Sequence, residues 1–185
     1  MRTETTTRKI YEFGELNEEA KQVAIAGHRQ SSWDCQMFIA CTGKDMINSL
    51  KAFCDHFDIE ILDYSLGAYS HSYCTAKHRY DDDIGEMKGV RVWKYLVNND
   101  YLNEGLLAGE CPFTGLCFDE SLLDGIREFM QKPISDWTIQ DLIDDCLNRF
   151  TTSYIEAEEY EDSDASIIEL IEINEYEFTD GGELI

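Results

Sequence analysis

The sequence predicts an α+β fold: a small antiparallel sheet packed with about five to six helices, and a helical C-terminal third ending in a short hairpin. Hydrophobic residues make up 43% of the 185 positions, which is enough material for a core. Several segments repeat apolar residues at helical spacing, and short β-branched or aromatic runs separate them. We expect a single domain over residues 1–185. A subdivision near 99–117, with an acidic helical part over 118–185, is the alternative.

The first third of the chain predicts one strand and two helices. Residues 5–13 (TTTRKIYEF) are β-branched and aromatic, which favours a strand. Asn17 follows as an N-cap for a helix that runs to Gln30, with acids in its first turn. Residues 31–43 show no clear periodicity and are predicted to be less regular. Residues 44–57 repeat apolar side chains at helical spacing and predict a second helix.

The middle of the chain predicts a hairpin and one further helix. Residues 58–64 and 69–76 predict two antiparallel strands with Gly67 in the turn between them. The segment 90–97 is ambiguous between strand and helix, and a shared apolar face favours the helix. That face contains Val90, Trp93, Leu96 and Val97. The two remaining stretches predict an acidic loop at 81–83 and irregular structure over 98–117.

The last third has the clearest helix signals. Asp119 is predicted to cap a helix that Pro133 prevents from continuing. Thr138 and Asp141 have the spacing of a capping box, with Asp in the place of Glu. The helix that follows has an apolar stripe made of Ile139, Leu142, Ile143, Cys146, Leu147 and Phe150.

Two shorter elements are predicted near the end of the sequence. A helix begins at Asp164 or Ser166 and runs through Ile173. Residues 176–179 and 183–185 then flank an Asp-Gly-Gly turn, which predicts a hairpin.

Charge is the strongest functional signal in the sequence. The formal net charge is −23, from 38 acidic and 15 basic residues. Residues 151–185 contain twelve acids and no Lys or Arg. Such a field repels nucleic acid and anionic membranes, so we expect neither as a direct partner. It favours a basic protein partner, and a merely solubilising surface is the alternative.

The outer face of the helix that starts near residue 138 is the predicted partner-binding surface. Spaced carboxylates on a helix can imitate the charges of a nucleic-acid backbone, and the alternative is an ordinary solvated helix. Tyr154 and Tyr160 lie among the acids and could supply aromatic contacts. The predicted partner-binding residues are Asp141, Asp144, Asp145, Glu156, Glu158, Glu159, Glu161 and Asp162.

Metal binding is a second hypothesis. If the predicted hairpin turns near Gly67, His78 returns towards Cys54 and His56, so these three residues are candidate ligands of a structural zinc ion. The alternative is that the cysteines are core thiols and the histidines surface groups. The sequence contains no CxxC pair, which is the usual element of a zinc site.

No motif in the sequence indicates an enzyme. It contains no phosphate-binding loop, GxSxG or HExxH pattern. Seven cysteines without an N-terminal apolar signal segment favour reduced thiols in a cytoplasmic protein. A zinc-dependent or thiol enzyme stays as an alternative. We therefore expect a binding protein without catalytic residues or an essential cofactor.

Three segments resemble a group of small acidic proteins carried by phages and mobile elements of Firmicutes. They are KIYEFGELNEEAK (9–21), CPFTGLCFDESLLDGIREF (111–129) and IEINEYEFTDGGEL (171–184). Proteins of this kind include anti-CRISPR inhibitors of type II-A Cas9. The resemblance implies a protein of the bacterial host cytoplasm that binds Cas9, or the Cas9–guide RNA complex, and stoichiometrically blocks its engagement with target DNA or guide RNA. Its alternatives are an anti-restriction or regulatory accessory protein for another basic host protein, and a zinc-binding protein.

Overall fold

Both ends of the chain come together in one of two structural units. The computed structural model describes residues 8–30, 33–66, 72–79, 82–102, 104–108, 111–116 and 118–185. The first unit comprises Met1–Phe38 and Glu158–Ile185, and the second comprises Ile39–Ala157. The subdivision proposed near 99–117 lies within the second unit.

The described residues confirm an α+β fold with eight α-helices and two antiparallel two-stranded sheets, and the C-terminal third is helical. The strands are β1 (Tyr11–Glu12), β2 (Ile59–Ser65), β3 (Tyr73–His78) and β4 (Glu177–Phe178). The helices are α1 (Glu18–Gln30), α2 (Trp33–His56), α3 (Asp82–Gly85), α4 (Val90–Asn98), α5 (Glu104–Ala108), α6 (Phe118–Gln131), α7 (Ile139–Glu161) and α8 (Asp164–Ile173).

The first unit packs α1 against α8 around a small core. Asn17 caps α1 as predicted, since its Oδ1 accepts a hydrogen bond from the Ala20 N–H at 2.9 Å. Small residues on α1 allow a close approach of the two helices. The buried side chains of this core are Phe13, Leu16, Ala20, Ala24, Ile25, Ile167, Ile171 and Phe178. The Phe13 and Phe178 rings meet edge to face with centroids 6.2 Å apart.

β4 has two neighbours, of which the predicted hairpin accounts for one. A single antiparallel bridge joins Phe178 to Leu184, across a turn in which the Gly182 N–H donates to Thr179 O at 3.0 Å. The main partner of β4 is β1, with Tyr11 opposite Phe178. This pairing joins distant parts of the chain, so no local pattern could indicate it. The predicted strand over 5–13 shortens to β1, and residues 5–7 lie outside the described part.

The second unit gathers side chains from six elements around one small apolar cavity. The cavity is lined by Phe53 (α2), Ile59 (β2), His78 (β3), Leu96 (α4), Ile126 (α6) and Ile143 (α7), among others. Because all of these elements line one cavity, helices α2, α4, α6 and α7 and the β2–β3 hairpin share one core. The hairpin was predicted, and residue 67 of its expected turn lies outside the described residues. A register irregularity at Ile61/Asp63 marks a bulge in β2.

Three predictions about irregular segments were wrong. The segment 31–43 was expected to be irregular, but α2 begins at Trp33. It contains no proline, and a single interior Gly43 costs a helix only about 1 kcal/mol. Asp83, expected in a loop, lies in α3, and α5 interrupts the segment predicted as irregular over 98–117. One-turn helices like these carry too few residues to show a periodicity.

The helix predicted at 90–97 is confirmed as α4, and its buried face shares Leu96 with the predicted face but contains Val92 in place of Val90 and Val97. Val92 and Leu96 are buried, whereas Val90 is 56% exposed and Val97 is also exposed. The apolar spacing at 90–97 fits two different faces, and only the neighbouring elements decide which one is covered.

Asp119 was expected to cap α6. It lies instead in the first turn of α6, and its side chain holds the preceding loop through hydrogen bonds. The side chain is fully buried. Its Oδ2 accepts hydrogen bonds from the Phe113 N–H (2.8 Å) and the Thr114 N–H (2.7 Å), and its Oδ1 accepts from Thr114 Oγ1 (2.9 Å). Burial opposes the ionisation of Asp119, but hydrogen bonds from Ser49, Thr114 and Phe113 outweigh it and lower the pKa of this carboxyl.

We expect Asp119→Asn to lower the free energy of unfolding by about 2–3 kcal/mol near neutral pH, because the amide offers one acceptor oxygen where the carboxylate offers two. Since folding lowers the pKa of Asp119, its stabilisation is present above the unfolded-state pKa of about 3.9 and is lost as pH falls through the folded value. In urea unfolding, the free energies of unfolding of wild type and variant should therefore differ at pH 6–7, and this difference should become smaller below about pH 4. Glu120→Gln, at the exposed next position, is the control. A difference in the free energy of unfolding that does not change with pH would contradict the role given to the Asp119 carboxylate.

We expect Gly182→Ala to destabilise the first unit by about 2–4 kcal/mol. Gly182 has φ +84°, and a Cβ there would lie 2.0 Å from the Ala20 carbonyl oxygen of α1. Gly181 is the matched control, because its nearest neighbour would be 3.8 Å from an added Cβ. Urea unfolding followed by circular dichroism compares Gly182→Ala with Gly181→Ala. Equal midpoints for the two variants would show that the close approach to Ala20 contributes nothing.

Candidate interaction surface

Helix α7 carries most of the predicted binding residues, and both its start and its inner face are fixed. The predicted capping box is confirmed: Asp141 Oδ2 accepts from the N–H and the Oγ1 of Thr138, both at 2.7 Å, and the Asp141 N–H donates to Thr138 Oγ1 at 3.2 Å. The Thr138 hydrogen bonds lower the pKa of the Asp141 carboxyl. The predicted apolar stripe is also confirmed, since all six of its residues are buried: Ile139, Leu142, Ile143, Cys146, Leu147 and Phe150.

The other two candidates in the first half of α7 are also engaged within the fold. Asp144 Oδ1 accepts from Gln140 Nε2 at 2.8 Å, and the same Gln140 amide donates to the Ala76 carbonyl of β3 at 2.8 Å. Asp145 Oδ2 accepts from Arg149 Nε at 2.7 Å. It also faces Gly125 of α6, where an added Cβ would meet it at 2.7 Å. These carboxylates therefore support the fold, which limits their availability to a partner.

Arg149 joins α7 to α6. Its two terminal nitrogens donate to the two carboxylate oxygens of Glu128 at 3.2 Å and 2.7 Å, a bidentate pair. These hydrogen bonds raise the pKa of Arg149 and lower that of Glu128. Asp145 lies on the other side of Arg149, so this one guanidinium donates hydrogen bonds to two carboxylates. The arrangement sets the contact between the two helices.

The second half of α7 has a different character. Glu156, Glu159 and Glu161 are exposed, and in the described part of the chain no cation lies within ion-pair distance of them. Asp162 follows the helix, and its Oδ1 lies 3.6 Å from the Nε of Arg29 on α1. Of the candidates at this end, three glutamates are thus exposed and have no ion-pair partner among the described residues.

Glu158 is the exception among these acids. It lies four residues after the buried Tyr154, on the continuation of the inner stripe. The side chain is half-buried, and its enclosed Oε1 has no hydrogen-bond partner among the described residues. Burial raises the pKa of this carboxyl. Glu158 is therefore the least suitable of the eight candidates for display to a partner.

Helix α8 adds two acids, Glu169 and Glu172, that were not among the predicted partner-binding residues. Both are exposed, and the opposite face of α8 is buried through Ile167 and Ile171. Their i,i+3 spacing within an apolar helix was the available signal. The Tyr160 hydroxyl donates to Glu169 Oε2 at 3.1 Å, which connects the end of α7 to α8.

We define the C-terminal acidic surface as Glu159, Glu161, Glu169 and Glu172, four exposed acids of the first unit at the end of α7 and on α8. The hydrogen bond to Glu169 raises the pKa of Tyr160, and the negative charge of Glu161 adds to the effect, so both carboxylates are near the hydroxyl. Tyr160 is 53% exposed, whereas Tyr154, the other proposed aromatic contact, is buried. One of the two predicted aromatic contacts is therefore accessible.

The three candidate zinc ligands have other surroundings. His56 Nε2 donates to the Tyr101 carbonyl at 2.8 Å, and the His56 ring contacts Phe57 and Phe113. His78 lines the apolar cavity of the second unit, where burial lowers its pKa to about 3. Cys54 is buried in the last turns of α2. Among the residues that the structure describes, no three His, Cys, Asp or Glu side chains are placed to hold a metal ion together.

Two of the described cysteines, Cys54 and Cys146, are buried core thiols, and Cys74 is half-buried. Burial raises the pKa of Cys54 to about 12 and that of Cys74 to about 11. Cys146 is fully buried in the α7 stripe, and burial raises its pKa as well. These thiols stay protonated at neutral pH, which is opposite to what a nucleophilic thiolate needs.

We expect Asp145→Lys to lower the free energy of unfolding by about 1–2 kcal/mol and Glu159→Lys to change it by less than about 0.5 kcal/mol. The first change removes the partner of Arg149 and places a second cation beside it, next to Gly125. The second reverses a charge that has no internal role and reduces the repulsion between acids. Thermal unfolding of both variants measures the difference. If Glu159→Lys were the more destabilising, the division into internal and displayed carboxylates would be wrong.

Comparison with known proteins assigns no family. The chain matches no family model, no curated protein and no solved structure. None of the described helices combines the length and the apolar character that crossing a lipid bilayer requires.

Proposed function

We propose that this chain is a stoichiometric inhibitor that binds a basic, nucleic-acid-binding protein through its C-terminal acidic surface. Type II-A Cas9 is the partner we propose, and the blocked step is its engagement with target DNA or guide RNA. The inhibitor has no catalytic turnover in this proposal. One observation carries it: exposed carboxylates that have no cation partner among the described residues are displayed on helices whose other faces are buried.

The fixed position of the charge separates this surface from a flexible acidic tail. Helix α8 is capped by Ser163, whose Oγ accepts from the Ser166 N–H at 3.2 Å, and it is held by buried Ile167 and Ile171. A carboxylate on such a helix loses little freedom when it meets a cation. The entropic cost of forming an interface is correspondingly smaller.

The charge also supports a basic partner. No Lys or Arg occurs between residues 151 and 185, so the segment that carries the surface has charge of a single sign. A protein that binds nucleic acid presents Lys and Arg along the path of the phosphates, which is the complementary pattern. Cas9 holds its guide–target heteroduplex in such a positively charged channel. Opposite fields of this kind accelerate association and reject acidic partners.

The sequence resemblance supports Cas9 over other basic proteins, and two of the three resembling segments have clear structural roles. Residues 9–21 form β1 and the start of α1, and residues 171–184 contain the end of α8, β4 and the Gly182 turn. Together they build the first unit, to which the acidic surface belongs. An accessory protein that targets another basic host protein would use the same surface, and the experiment separates the two.

Binding to purified type II-A Cas9, with and without guide RNA, tests the proposal, together with a DNA-cleavage titration. We expect cleavage to stop near one inhibitor per Cas9. We also expect binding to weaken strongly between 0.05 and 0.3 M salt, because the Debye length falls by about half or more over this range. The double variant Glu161→Lys/Glu172→Lys should bind about tenfold or more weakly. No binding in either form of Cas9 would reject Cas9 as the partner.

Asp83→Lys/Glu86→Lys is the matched control. Both residues are exposed, lie in the second unit and give the same change in net charge. If this control weakens binding as much as the surface variant, total charge rather than the C-terminal acidic surface determines the affinity.

A further inference from the structure

Two large apolar side chains are exposed within the C-terminal acidic surface. Ile173, in the last turn of α8, is 71% exposed, more than any other large hydrophobic side chain in the described part of the chain. Tyr160 is 53% exposed at the end of α7. Apolar side chains without a covering element leave part of their transfer free energy available to a partner.

These two side chains belong to one contiguous patch. The Tyr160 hydroxyl donates to Glu169 Oε2 at 3.1 Å. Glu169 and Ile173 are four residues apart on α8, and Glu172 is the exposed neighbour of Ile173, so the three share the outer face of the helix. Tyr160, Glu169, Glu172 and Ile173 therefore form a surface in which apolar and acidic groups alternate.

The exposure of Ile173 is not a sign of a poorly held helix. Ile167 and Ile171 bury the inner face of α8, and the Asn174 N–H and side-chain amide both bond to the Leu170 carbonyl, at 3.1 Å and 2.8 Å. The helix is thus fixed at its end, and Ile173 is directed away from its core. Apolar groups ringed by polar ones are the usual composition of the energetic centre of a protein interface.

We infer that Ile173 and Tyr160 are apolar contacts of this surface, and that the partner presents an apolar depression bordered by Lys or Arg on a folded protein. The charge complementarity selects a basic partner, and the apolar pair selects a folded surface over a flexible polycationic segment, which has no depression to receive an isoleucine. This inference rests on the proposed function and specifies the partner's surface.

Charge and apolar contact predict different salt dependences. The attraction between carboxylates and a basic partner weakens as ionic strength rises. Burial of Ile173 does not depend on ionic strength in this way. Loss of Ile173 should therefore reduce the affinity by the same factor at every salt concentration, whereas loss of Glu172 should reduce it most at low salt.

The test measures the dissociation constants of wild type, Ile173→Ala and Tyr160→Ala for type II-A Cas9 and for polylysine at 0.05, 0.15 and 0.3 M salt. We expect each variant to bind Cas9 about tenfold more weakly at all three concentrations, the size of a modest hot spot. Binding to polylysine should be unchanged. Leu62→Ala, at a side chain that is 56% exposed in the second unit, should leave both unchanged.

Two results would overturn the inference while the proposed function stands: Cas9 binding that is equal for wild type and Ile173→Ala, or an equal loss for Leu62→Ala. A variant that weakens polylysine binding as much as Cas9 binding would also overturn it, because the contact would then not need a folded partner. Failure of the wild-type protein to bind Cas9 would overturn the proposed function and the inference together. Circular dichroism and thermal unfolding confirm that each variant is folded.

Discussion

The buried stripe of α7 is the interaction on which the rest of the structure depends. Its six apolar side chains form one face of the second unit's core. The residues of α7 after Ala157 belong to the first unit. A helix of 23 residues is about 35 Å long, and the stripe covers the inner face of the part of α7 that belongs to the second unit. The capping box at Thr138 fixes where this helix begins, and with it the angular position of every carboxylate on its outer side.

Cations are scarce in this chain, and the structure uses the ones near α7 for internal bonds. Arg149 lies between Glu128 and Asp145, and Arg29 lies beside Asp162 and Asp164. Each guanidinium offsets two acids at a junction of helices, where like charges would otherwise repel. Among the described residues of α7 and α8, Glu156, Glu159, Glu161, Glu169 and Glu172 are exposed and have no Lys or Arg within ion-pair distance.

Local patterns predicted the elements with strong periodicity and capping signals, such as α7 with Thr138 and α1 with Asn17. They could not predict the β1–β4 pairing, because that contact depends on distant parts of the chain meeting. They also could not separate Asp145 from Glu159, since both look exposed on a helical wheel. Only tertiary neighbours such as Arg149 and Gly125 show that Asp145 has a structural role. The proposed binding surface includes residues of α8 for the same reason.

The sequence separation within the first unit has a consequence for synthesis. Arg29 and Asp164 meet across 135 positions, so α1 has no α8 to pack against until residues 164–173 have been made. At synthesis rates of up to about 20 residues per second, this delay is roughly 7 s or more. Helix α1 leaves the ribosome long before its partner, while all the residues of the second unit emerge before those of α8. The C-terminal acidic surface is therefore completed only after the second unit has been synthesised, and the proposed binding surface is incomplete until α8 has been made.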